Sequence, residues 1–243
     1  MRRAALSVLL LLAATPAAAG CKVALDVGHS RANPGATSAR GGLEWQFNLA
    51  LAQRAAKALA AAGVDAVILD QTGKDLALAE RTKLAAARHA SLFISLHHDD
   101  VQDQYKTEWQ WQGHPQGHGE DFSGFGLFVS AQNPRFAESR RVAAAIADGL
   151  LAAGQHPSLH HAEPIPGENR PLLDATRGLY RFDDLVVLKT ASMPAVLVEA
   201  GIIVNKDDEP LIDSDGFRDR VAEAIATAAQ GHCRRLDRAK KPR

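Results

Sequence analysis

Four side chains carry the chemistry this sequence offers: His29, Glu44, His97 and Glu199. His29 stands just past an apolar run at 22–27, His97 lies at the end of a second run at 91–98, and Glu199 ends a third at 194–199. Glu44 opens a stretch with helical spacing, reached through a segment rich in Pro and Gly that can wrap around a site. Two imidazoles and one carboxylate, with a position left for water, form a catalytic zinc donor set. Zinc so held polarises a carbonyl and lowers the pKa of its water. A further carboxylate, outside the donor set, must then take and return a proton. Glu199 suits that task, because Leu197, Val198 and Ala200 around it would desolvate it and raise its pKa. Asp26 is placed to orient His29 from behind.

The chain has 10 histidines, so the choice among them matters. His98 competes directly with His97, and adjacent strand residues face opposite ways, so only one of them can face the metal. His89, His114, His118, His156, His160, His161 and His232 read as surface or structural, with His160 and His161 keeping a second reading as part of the site wall.

These groups meet only if the apolar runs are parallel strands. Runs at 22–27, 65–70, 91–98, 124–130 and 194–199 read as strands. Stretches at 44–62, 75–90, 133–153 and 217–230 read as helices. The first has Phe47, Leu51, Ala55 and Leu59 on one stripe. Such alternation predicts a single α/β domain with a mostly parallel sheet. His29, His97 and Glu199 then gather at the carboxyl edge of the sheet, where open α/β sheets bind ligands. The segments 101–123, with Trp109 and Trp111, and 156–177, rich in Pro and Gly, read as long irregular loops and candidate walls.

Residues 1–19 read as a secretory signal peptide, with Arg2 and Arg3, a Leu/Ala core and small residues before the cleavage point. The domain is then expected over 20–233, with 234–243 a basic flexible tail. Two fates compete for Cys21: lipidation after processing, or a disulfide with Cys233 that an exported chain would favour. Each excludes the other. The formal net charge is zero, from 28 basic and 28 acidic residues. Without the signal arginines and the tail, 20 basic residues face 27 acidic ones. That acidic body gives no reason for a nucleic-acid partner, while the tail could touch an anionic wall or membrane.

The local motifs resemble the zinc-dependent N-acetylmuramoyl-L-alanine amidases of the amidase 3 type. The match runs through Leu25-Asp26-Val27-Gly28-His29, Pro34-Gly35-Ala36, Gly42-Leu43-Glu44, the stretch from Ser91 to His97, and the stretch from Met193 to Ile202, closing at Asn205. The resemblance implies zinc ligation by His29, Glu44 and His97, with Glu199 catalytic. It implies a twisted sheet flanked by helices on both faces. It also implies hydrolysis of the amide between N-acetylmuramic acid and the L-alanine of the peptidoglycan stem peptide, in wall remodelling or daughter-cell separation. The chain would be a periplasmic or secreted monomer, directed to the wall by the domain itself, the tail or an activator protein. Arg40 and Asn205 are candidate substrate contacts, Arg177 a further one, and the two tryptophans either stack on sugar or plug their loop. The run His98-Asp99-Asp100 departs from the family's usual small residue and Asn after the second histidine. Two other readings of the same residues are a zinc carboxypeptidase-like peptidoglycan peptidase and a non-catalytic wall-binding domain.

Overall fold

A computed structural model describes residues 20–240, with the side chain of Lys240 left aside. The signal-peptide reading of residues 1–19 lies outside the described residues. The first half of the chain forms β1 (Lys22–Val27), α1 (Glu44–Ala61), β2 (Asp65–Ile68), α2 (Leu78–Ala87), β3 (Leu92–Asp99), β4 (Thr107–Trp111) and β5 (His114–His118). The second half forms β6 (Gly126–Val129), α3 (Phe136–Ala152), β7 (Leu172–Asp174), β8 (Leu179–Arg181), α4 (Val186–Lys189), β9 (Ala195–Ile202), α5 (Glu209–Ile212) and α6 (Asp215–Lys240).

Seven strands make one sheet in the order β2-β1-β3-β9-β6-β8-β7. The four strands from β2 to β9 are parallel, each pair joined by a crossover. The strand at 126–129 breaks that pattern, because β6 runs antiparallel to β9. No α-helix separates β3 from β6, so the chain stays at the carboxyl edge and re-enters the sheet from there. The segment 101–123, expected to be irregular, contains the antiparallel hairpin β4–β5.

Successive residues of a strand face opposite sides. Leu25, Val27, Ile94, Leu96, Val196 and Val198 face a core completed by α1, α3 and α6. Ala24, Phe93, Ala195 and Leu197 face a smaller core under α2 and α4. Helices therefore cover both faces. Asp26, Ser95, His97 and Glu199 continue the second series toward the strand ends. That periodicity delivers them to one place.

Arg81 of α2 crosses that face. Its Nη1 donates to Asp26 Oδ1 at 3.0 Å, and Ser95 Oγ donates to Asp26 Oδ2 at 2.7 Å. The Arg81 guanidinium also donates to the carbonyls of Val27 and His29. Burial pushes the Asp26 carboxyl up, and Arg81 and Ser95 pull it back. Asp26, expected to orient His29 from behind, reaches it through Arg81, which bonds both Asp26 and the His29 carbonyl.

Helix α6 runs back along the sheet, and Cys233 near its end is bonded to Cys21 just before β1, across 212 positions. The same sulfur cannot carry a lipid, so the lipid-anchor alternative is corrected. The basic stretch 234–243, read as flexible, is helical through Lys240. Arg, Leu, Ala and Lys are strong helix formers, and the bridge fixes the helix one residue upstream. Among the described residues no helix is long and apolar enough to cross a membrane.

Reducing the disulfide should lower the unfolding free energy by about 2–5 kcal/mol, since the closed loop is long. Urea titrations with and without reductant measure it, and unchanged midpoints would contradict the expectation. Arg81→Met should cost about 3–5 kcal/mol by leaving Asp26 buried without its cation. The same titration at neutral pH reads this loss.

Candidate metal centre

The centre is built where β1 and β3 end side by side. His29 is the second residue past β1 and has φ 67, a conformation that bends the chain and turns its ring back over the strand ends. Gly28 precedes it because a Cβ there would lie 2.5 Å from the His97 ring. Gly35 has φ 80, and a Cβ on it would lie 2.3 Å from Glu44 Oε2. These two glycines leave the room into which the three side chains converge.

Glu44 is the first residue of α1 and is 4% exposed. A carboxylate in a first helical turn is favoured by the helix dipole. Its Oε2 lies 3.0 Å from His29 Nε2 and accepts the Ala36 amide at 3.0 Å. Its Oε1 lies 3.0 Å from His97 Nδ1 and accepts from Asn48 Nδ2 at 3.0 Å. Burial would raise the Glu44 carboxyl, but the two imidazoles outweigh it and hold it well below the usual carboxylate range. His29, Glu44 and His97 offer one donor atom each, all within 4.8 Å of one another.

Strand parity decides between the adjacent histidines. His98 faces α1, with Nδ1 2.8 Å from Asn48 Oδ1 and its ring against Phe47. Burial pushes it down to about 4, so it stays neutral. Asn48 thus ties His98 and Glu44 together behind the centre.

Glu199 sits opposite His97 in the sheet register, immediately before an irregularity where β9 carries one residue more than β3. Such bulges re-aim side chains at strand ends. Glu199 Oε2 is buried with no hydrogen-bond partner. Burial, together with Asp99 and Glu44, pushes its carboxyl well above the ordinary range. Glu44 and Glu199 are thus two carboxylates in one site with opposite settings.

Two clefts meet at His29 and His97. One, of 430 Å³, passes Asn33, Asp75, Leu78 and Leu185. The other, of 290 Å³, is lined by His161, Glu168, Arg170 and Phe182 as well as Glu199. His161 therefore belongs to the wall, the second of its two sequence readings. Its Nε2 lies 2.8 Å from Asp99 Oδ2 and its Nδ1 2.7 Å from Glu168 Oε2. Burial alone would push His161 down, but Asp99 and Glu168 bring it up to about 9. Glu168 and Arg170 escaped the sequence reading, and Asp99 entered it only as a departure from the family pattern. Their one available signal was the histidine pair inside a Pro- and Gly-rich segment.

The expected substrate contacts are engaged elsewhere. Arg40 Nη1 donates to Glu209 Oε2 at 3.0 Å and to the Lys206 carbonyl at 2.7 Å. Its guanidinium also covers the rings of Trp109 and Trp111. Trp109 Nε1 donates to the Ala39 carbonyl at 2.8 Å, so the tryptophans fasten their hairpin to the body. Asn205 donates to the Phe122 carbonyl and accepts the amides of Asp207 and Asp208, which organises a turn. Arg177 is held by Asp148 and Asp174.

Comparison with known proteins agrees with this architecture. The family model described as N-acetylmuramoyl-L-alanine amidase matches residues 23–230. An uncharacterized protein of Bacillus subtilis, YqiI, is 27% identical over 214 residues, covering 88% of this chain and 85% of its own. The N-acetylmuramoyl-L-alanine amidase AmiA of Salmonella typhimurium is 28% identical over 213 residues, covering 84% of this chain and 73% of its own. The N-acetylmuramoyl-L-alanine amidase of Clostridium difficile 630 superposes with a TM-score of 0.69 at 19% identity, over 91% of this chain and 99% of that one. The family-model match over residues 23–230, on a fold shared with these proteins, places the chain in the Amidase_3 family of N-acetylmuramoyl-L-alanine amidases.

Proposed function

We propose that the chain is an exported, zinc-dependent amidase that cleaves the bond between N-acetylmuramic acid and the L-alanine of the peptidoglycan stem peptide, in wall remodelling. The observation that carries this reading is Glu44, buried yet held ionised, with one oxygen against each of two imidazoles. Two imidazole nitrogens and a carboxylate oxygen within 4.8 Å are a donor set that fits zinc. His29, Glu44 and His97 would hold the metal. Zinc bound there supplies a Lewis acid for the scissile carbonyl and makes water a better nucleophile.

The chain's own groups supply the rest. Burial and the lack of a partner at Oε2 raise the proton affinity of the Glu199 carboxylate, which in its ionised form takes the proton of the attacking water. The same carboxyl then protonates the departing amine of L-alanine. Asn48 holds Glu44 and His98 in place, and Arg81 holds the main chain of His29. Groups fixed in this way need no reorganisation during the reaction. The two clefts on either side of His29 and His97 suit a substrate with glycan on one side and peptide on the other. Arg170 lies in one of them, its guanidinium 3.8 Å above the Phe182 ring. Among the described residues it has no carboxylate partner, and Arg forks match carboxylates. It takes the role expected of Arg40 or Arg177, binding a stem-peptide carboxylate. The disulfide supports an oxidising, extracytoplasmic location.

Digestion of purified sacculi, with products identified by mass spectrometry, should release intact stem peptides beginning with free L-alanine and leave uncut glycan. Chelator should abolish release, and zinc should restore it. Shortened stems instead would mean a peptidase. Glu199→Gln should keep its zinc while turnover falls by about 10²–10⁴; retention of full activity would remove Glu199 from the mechanism.

A further inference from the structure

A second group of donors lies near Glu199, its His161 lining the same cleft as His29 and His97. His160 and His161 share one 3₁₀ turn, His160–Ala162, with ring centroids 3.9 Å apart. Each Nδ1 meets an outer partner: His160 lies 2.8 Å from Ser158 Oγ, and His161 lies 2.7 Å from Glu168 Oε2. Each Nε2 turns toward one atom, Asp99 Oδ2, at 3.4 Å from His160 and 2.8 Å from His161. All three donors fall within 4.8 Å of one another. Outer partners that fix the far nitrogen of an imidazole are the usual support of metal-binding histidines.

A hydrogen-bonded ion pair accounts for His161 alone. His160 is 2% exposed, and its Nε2 is buried without a hydrogen-bond partner. Buried polar atoms are rarely left unmet, and each exception calls for an explanation such as an ion. We propose that Asp99, His160 and His161 form a second site for a divalent transition metal, for which imidazole and carboxylate donors suit zinc. The site sits beside the reaction centre. A Cβ on Gly126 would lie 3.7 Å from Glu199 Cβ and 3.8 Å from His161 Cδ2. A metal there ties the segment 156–177, which carries Glu168 and Arg170, to the end of β3. It thereby fixes one wall of the cleft.

Equilibrium dialysis of the full chain against zinc, with metal counted by mass spectrometry, tests this. The expected content is two zinc per wild-type chain, one in the His160→Gln/His161→Gln variant, and one in His29→Gln. One zinc in the wild type, lost in His29→Gln and kept in the double variant, overturns the inference, as does no zinc at all. A double variant that still holds two overturns it too. One zinc lost only in the double variant supports the second site while defeating the first-site reading on which the proposed function rests. The wild-type count is independent of whether any variant folds. As a second readout, zinc should slow hydrogen exchange in 156–177, and an unchanged rate would count against the tie.

Discussion

A carboxylate buried between two imidazoles is the constraint around which this structure is arranged. Glu44 loses its water, and it recovers that cost only through partners placed on both of its oxygens. The partners come from separate points of the chain. His29 follows β1, His97 lies near the end of β3, Asn48 lies one turn further along α1, and the Ala36 amide comes from the segment joining β1 to α1. The parallel pairing of β1 with β3 brings the two histidines together, and the bare backbones of Gly28 and Gly35 let the rings close in. A shift of one residue in β3 would exchange His97 for His98 and send the wrong ring toward the site.

The same edge of the sheet sets two carboxyl groups to opposite states. Glu44 is held ionised by its imidazoles, while burial and neighbouring negative charge raise the proton affinity of Glu199. Pairs of acids driven apart in this way mark the division of labour in many hydrolytic sites. The difference comes from surroundings alone. Glu44 sits at a helix start among donors, and Glu199 sits on a strand among apolar neighbours with one oxygen unmet.

The alternation of strands and helices, and the parity that sends Asp26, Ser95, His97 and Glu199 to one face, follow from short-range periodicity. That part of the fold was readable from the residues. So was the convergence of His29, Glu44, His97 and Glu199, because strand ends in a parallel sheet share an edge. The pairings of Arg40 and Asn205 were not readable. Arg40 finds Glu209 across 169 positions and is capped by a hairpin that sequence presented only as a loop. Asp99 reaches His161 across 62 positions, along a path set by an irregular segment with no periodicity. Residues 234–240 read as flexible from their charge; 234–239 are largely exposed, as charge suggests, but the stretch is helical, as its intrinsic preference dictates.

Glu44, His29 and His97 together form the proposed zinc site. Anomalous diffraction at the zinc edge from crystals of the zinc-loaded protein is its decisive test. A peak is expected, bounded by His29 Nε2, His97 Nδ1 and a Glu44 oxygen. Absence of a peak there, with Glu44 still hydrogen-bonded to both imidazoles at full zinc loading, would contradict it.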